Sequence, residues 1–99
     1  AGEDPMESAR RELYEETGYG GGHWQRWMTI SANPGTITNL THCFLATDVE
    51  QISTQHLEET EDLTVHLLTE KEVRALLERD EMRQALMAAP LWKYFSMKK

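Results

Sequence analysis

Residues 11–18 read Arg-Glu-Leu-Tyr-Glu-Glu-Thr-Gly, and the fold turns on how this octet is read. It closes a segment with strong helical signals. Asp4 suits an N-cap, Pro5 suits the first helical position, and Glu7 follows Asp4 by three residues. Met6, Ala9 and Leu13 recur at helical spacing. Gly18 stands where glycine commonly ends a helix. A helix over Pro5–Glu16, turning ~100° per residue, stacks Glu12 on Glu16 with Glu15 adjacent, one acidic arc beside the apolar stripe. That crowding is unfavourable. Like charges at i,i+4 cost roughly 0.2–0.5 kcal/mol per pair. Acids in the last turn also meet the negative end of the helix dipole, for roughly 0.3–1 kcal/mol more. Arg11, four residues before Glu15, offsets part of this. A solvated acidic face and a divalent-cation site both satisfy these spacings, and spacing alone leaves the two open.

The bulk composition narrows the class of protein. Ninety-nine residues, 39% hydrophobic and 27% charged, are expected to form one soluble globular domain over residues 1–99. A net charge of −7 argues against a nucleic-acid-binding surface, which would be basic. No apolar run approaches the ~20 residues of a membrane span. Cys43 is the single cysteine, so no internal disulfide forms and a cytoplasmic setting is expected. An acidic protein that handles phosphates needs a cation between its carboxylates and the ligand.

Beyond the glycines at 20–22, Trp24–Ser31 reads as a strand and Asn33-Pro34-Gly35 as a type II turn. Thr36–Asp48, rich in Thr, Ile, Phe and Leu, reads as a longer strand. Val49–Glu61 is a polar, acidic loop, and Leu63–Leu68 a short strand with Leu63, Val65 and Leu67 on one face. Thr69-Glu70-Lys71-Glu72 is a capping box for a helix that turns Val73, Leu76 and Leu77 inward. Asp80 is expected to cap a further helix through Met82, Leu86 and Ala89, with Pro90 interrupting it before an aromatic tail, Leu91–Phe95. That tail reads as core or interface packing. His42 and His66 read as ordinary strand residues, His56 as a loop residue and Cys43 as a small, buried strand residue. The fold class is α+β: a helix, about three strands and two C-terminal helices.

Written out from Glu3, the first segment is Glu, seven residues, Arg11-Glu12-Leu13, one residue, Glu15-Glu16, one residue, Gly18-Tyr19. This resembles the signature of the Nudix hydrolases at every fixed position from Glu3 onward. Gly2-Glu3-Asp4-Pro5, Asn33-Pro34-Gly35 and the acidic stretch Leu57–Val65 further resemble the branch that hydrolyses ADP-ribose and other nucleoside-diphosphate sugars. The resemblance implies an α/β/α sandwich whose earlier strands precede the signature, so the chain is expected to be the C-terminal part of such a domain.

It also implies roles. Glu12, Glu16 and Glu15 would ligate Mg²⁺ or Mn²⁺, with Glu61 as an additional ligand. Arg11 would hold a glutamate in place, Glu3 would support it, and Glu59 would be the catalytic base. The implied activity is metal-dependent hydrolysis of the diphosphate linkage in ADP-ribose or a similar nucleotide sugar. The implied partners are that small molecule and a second copy of the chain, a homodimer, with no nucleic acid and no membrane. Two alternatives accompany it: a nucleotide-binding regulatory module, and a catalytically incomplete, self-associating fragment.

Overall fold

The computed structural model describes residues 3–31, 40–56 and 63–98. Their order is α1 (Pro5–Thr17), β1 (Tyr19–Gly20), β2 (His23–Ser31), β3 (Leu40–Thr47), β4 (Glu50–Gln51), α2 (Glu70–Glu78) and α3 (Ala85–Met97). Three helices and short antiparallel strands in two small sheets make the expected α+β arrangement, compatible with part of a Nudix fold. β1 pairs with β4, Tyr19 opposite Gln51 and Gly20 opposite Glu50, and β2 pairs with β3. Two compact units are present, Ala1–Arg26 with Phe44–His66, and Trp27–Cys43 with Leu67–Lys99. Among the described residues, no helix is long and apolar enough to cross a membrane.

In the first unit, α1 begins and ends as its sequence dictates. The Asp4 carboxylate accepts from the backbone N–H groups of Met6 (3.1 Å) and Glu7 (3.3 Å), and Pro5 occupies the first turn. Met6, Ala9 and Leu13 are half-buried, whereas Glu12 is exposed. Gly18 stops the helix at φ 80°, its N–H donating to the Tyr14 carbonyl at 2.8 Å. The glycine-rich link behind it is constrained by contact. At Gly22 (φ 77°) a Cβ would overlap the Thr47 carbonyl oxygen. The Trp24 indole donates to the Gly21 carbonyl at 2.8 Å, and Arg10 lies 5.6 Å from the centre of the Trp24 ring.

The second unit holds the two buried hydrophobic side chains among the described residues, Leu77 and Phe95. Thr69 and Glu72 close the capping box reciprocally. The Glu72 N–H donates to the Thr69 hydroxyl at 3.1 Å, and the Thr69 N–H donates to the Glu72 carboxylate at 2.8 Å. Glu70 then reaches α3, accepting from the Tyr94 hydroxyl (2.8 Å) and, at both oxygens, from the Lys98 ammonium (2.9 Å). Thr69→Ala should cost about 1 kcal/mol by losing the N-cap bond, measured by urea unfolding followed at 222 nm.

Four expectations are corrected here. The loop expected over Val49–Glu61 begins with a short strand, β4, because the backbone of Glu50–Gln51 finds a partner in β1. Leu63–Leu68 is not a strand: it runs as irregular chain, and Leu63, Val65 and Leu67 are 44%, 38% and 75% exposed. Alternating apolar residues give the period of a strand without supplying a partner for its backbone. Asp80 does not cap α3. It sits at φ 59° behind α2, with its N–H on the Leu77 carbonyl (3.1 Å) and that of Glu81 on the Leu76 carbonyl (2.9 Å). This is the paired bonding of a Schellman stop, at a residue type that tolerates the left-handed region. Pro90 does not interrupt the last helix either; α3 continues through it. A proline inside a helix removes one backbone bond. Contacts from outside the helix hold this turn in place: the Trp27 indole donates to the Pro90 carbonyl at 2.9 Å, and Lys93 sits over the Trp27 ring while bonding the Trp27 carbonyl. The aromatic tail packs as expected at Phe95, against Tyr94 edge-on at 5.4 Å, whereas Trp92 is 41% exposed.

Candidate active site

α1 carries most of the candidate residues, and Arg11 organises them. Its guanidinium donates through Nη1 to Glu15 Oε1 at 2.8 Å and through Nη2 and Nε to the two Glu3 oxygens at 3.0 and 3.4 Å. The planar fork of donors suits this two-sided grip better than an ammonium would. Its hydrogen bonds to Glu3 first, then Glu15, raise the Arg11 pKa further above its already high ordinary value. The same bond holds the Glu3 carboxyl below the usual carboxylate range, against a smaller desolvation effect. Glu12 accepts a long bond from the Ser8 hydroxyl at 3.4 Å. Glu15 and Glu16 are half-buried and Glu12 is exposed.

A depressed carboxylate makes a signed prediction. Glu3 contributes stability that is fully present above its ordinary pKa of 4.5 and lost as pH falls through its lower folded value. Arg11→Met should return the Glu3 titration midpoint to about 4.5, read from the side-chain carboxyl shift in a ¹³C NMR titration. A midpoint unchanged by the substitution would show that Arg11 is not the cause.

The C-terminal end of this helix is closed by a distant segment. The last carbonyls of a helix lack partners within it. In α1 the Leu13 carbonyl accepts from the Thr17 hydroxyl (2.6 Å) and that of Tyr14 from Gly18. The Glu15 carbonyl accepts from the His56 backbone N–H (2.6 Å), and the Glu16 carbonyl from the Gln55 side-chain amide (2.8 Å). Ile52 and Ser53 both donate their N–H groups to the Gly18 carbonyl, at 2.8 and 3.1 Å. The His56 ring stacks on Tyr14 with centroids 5.5 Å apart, and its Nε2 is 2.9 Å from the Ser53 hydroxyl. These donors reach the helix end where the acids cluster and the dipole is negative, offsetting the unfavourable field there.

Arg11, Glu3 and Glu15 are thus brought together in one ion-paired group, with Glu12 and Glu16 on the same two turns. The candidate base Glu59 and the candidate ligand Glu61 lie outside the described residues. Among the described residues, no three of His, Cys, Asp or Glu are grouped so as to hold a metal ion. The donor chemistry of α1 nevertheless fits a hard divalent cation. It offers carboxylate oxygens only, and Mg²⁺ completes such partial sets with waters. Gln55, Ser53 and the stacking role of His56 are not evident in the sequence. A polar loop residue whose partner is a backbone carbonyl leaves no periodic or compositional trace.

The fold and this helix define a class. A family model described as NUDIX domain matches residues 1–89, and the chain belongs to that family. Nudix proteins are, in general, pyrophosphohydrolases of nucleoside diphosphate derivatives that use divalent metal ions. No curated protein matches the chain.

Proposed function

We propose that the protein hydrolyses the diphosphate linkage of ADP-ribose or a similar nucleotide sugar with the help of Mg²⁺ or Mn²⁺. The observation that carries this reading is the Arg11 clasp on Glu3 and Glu15, which gathers two carboxylates of the motif around one guanidinium. Glu12, Glu16 and Glu15 would hold the cation, with Glu61 contributing from the acidic stretch. When bound, it would neutralise charge on the diphosphate and lower the pKa of a coordinated water. The chain's own residues have simpler tasks. Arg11 orients the Glu15 carboxylate, a supporting role of the kind that tunes metal sites. Glu59 accepts the proton from the attacking water as general base. The nucleotide-sugar preference is supported by two sequence likenesses, Asn33-Pro34-Gly35, which lies outside the described residues, and the acidic stretch 57–65. A cytoplasmic homodimer fits the free Cys43 thiol and the exposed Leu63, Leu67 and Leu68.

The test is a substrate panel. Full-length protein is incubated with ADP-ribose, GDP-mannose and UDP-glucose, with and without Mg²⁺, and nucleoside monophosphate is measured. Mg²⁺-dependent release of AMP from ADP-ribose is the expected result. Tight nucleotide binding with no monophosphate released would favour a regulatory module instead.

A further inference from the structure

Gln55 makes two contacts with consequences beyond closing a helix. Its amide nitrogen donates to the Glu16 carbonyl at 2.8 Å and to the Leu63 carbonyl at 3.2 Å. One planar NH₂ carries two N–H donors, and both are used on backbone carbonyls. The adjacent His56 N–H takes the Glu15 carbonyl, so consecutive residues of one segment grip the carbonyls of two consecutive acids. Leu63 belongs to the chain that follows residues 57–62, and Gln55 to the chain that precedes them. A single side chain therefore joins the carboxylate end of α1 to the backbone on both sides of residues 57–62.

We propose that Gln55 is a positioning residue for diphosphate hydrolysis, fixing the Glu15–Glu16 end of α1 against the backbone on either side of residues 57–62. This rests on the hydrolase reading above. It assigns Gln55 no contact with substrate or metal. Gln55 acts through the backbone of Glu16, so its effect is on where the carboxylates are held. Glutamate at this position has nearly the same shape but no N–H to donate, and it adds a negative charge beside Glu15 and Glu16. Alanine removes both bonds, while asparagine keeps the amide on a stem shorter by one methylene.

Gln55→Ala, Gln55→Glu and Gln55→Asn in the full-length protein test this with three readouts. Without metal, the His56 amide should exchange with solvent at least about fivefold faster in Gln55→Ala than in wild type, because the segment's grip on α1 is loosened. Mn²⁺ affinity, measured by electron paramagnetic resonance, should fall about 10–100-fold in Gln55→Ala and Gln55→Glu, as when supporting groups of a metal site are removed. With ADP-ribose, kcat should fall by a similar factor while KM stays within about twofold. Gln55→Asn should lie between wild type and Gln55→Ala, and it carries the comparison if Gln55→Glu does not fold. Faster exchange with unchanged Mn²⁺ affinity would reduce Gln55 to a helix cap and overturn the proposal. Wild-type exchange in the alanine and glutamate variants would overturn it as well. If wild-type protein turns over no nucleoside diphosphate, the hydrolase reading falls, while exchange and Mn²⁺ binding still decide whether Gln55 positions the helix end.

Discussion

Gly18→Ala is expected to destabilise the protein by roughly 2–5 kcal/mol, combining left-handed backbone strain of about 1–2 kcal/mol with overpacking of about 1–3 kcal/mol. Gly18 is buried at φ 80°, and a Cβ there would overlap the Ser53 carbonyl oxygen and lie 2.7 Å from the Ser53 carbonyl carbon. Both atoms are backbone and cannot rotate aside. Relief requires the 52–56 segment to move, which breaks the bonds from Ile52 and Ser53 to the Gly18 carbonyl. Gly21→Ala is the control. It too has positive φ, 69°, but nothing lies within 4 Å of its added Cβ, so it should cost only the strain, about 1–2 kcal/mol. Urea denaturation of both variants separates strain from collision. Equal losses would mean that the close approach of Ser53 contributes nothing.

The second large effect falls on activity. Glu16→Gln should lower kcat by on the order of 10²–10³-fold, equivalent to losing roughly 3–4 kcal/mol of transition-state charge stabilisation. The amide keeps the side chain's size but removes the charge a divalent cation would need. Relief of the Glu12–Glu16 repulsion contributes about 0.2–0.5 kcal/mol in the stabilising direction. Steady-state assay of the full-length protein beside a melting curve reads both. Undiminished turnover would sink the metal-ligand role of Glu16. A drop in turnover together with loss of folded protein would assign the effect to structure.

The parts of the fold legible in the sequence are those whose causes lie within a few residues. Asp4 and Pro5 start α1 because their partners are the next amides along, and Gly18 stops it because only the local backbone must turn left-handed. The Thr69–Glu72 box is legible for the same reason. Other features depend on residues far along the chain. Pro90 looks like a breaker until Trp27, 63 residues away, bonds its carbonyl. Leu63–Leu68 has the alternation of a strand, but pairing depends on what lies beside it. Asp80 is a local exception: aspartate is favoured both as an N-cap and in the left-handed region, and here its left-handed backbone completes the preceding helix. The site divides likewise. Arg11 with Glu15 is a one-turn spacing, and Arg11 with Glu3 follows from the motif. Gln55 is chemically anonymous until the chain has folded back.

The closure of α1 by a remote segment also shapes how this helix comes into being. Its first turn is self-sufficient, since Asp4 binds amides two and three residues ahead. Its acidic end waits for Gln55, 39 residues along the chain. Bringing the ends of such a span together costs about 3 kcal/mol in chain entropy, beyond a constant, from the logarithmic dependence on length. A nascent chain can thus nucleate the first turn early and leave the last turn frayed until the return segment arrives. The backbone carbonyls of Glu15 and Glu16 thus gain their partners only once residues 52–56 have folded back, whereas the Arg11–Glu15 pair needs nothing beyond one helical turn.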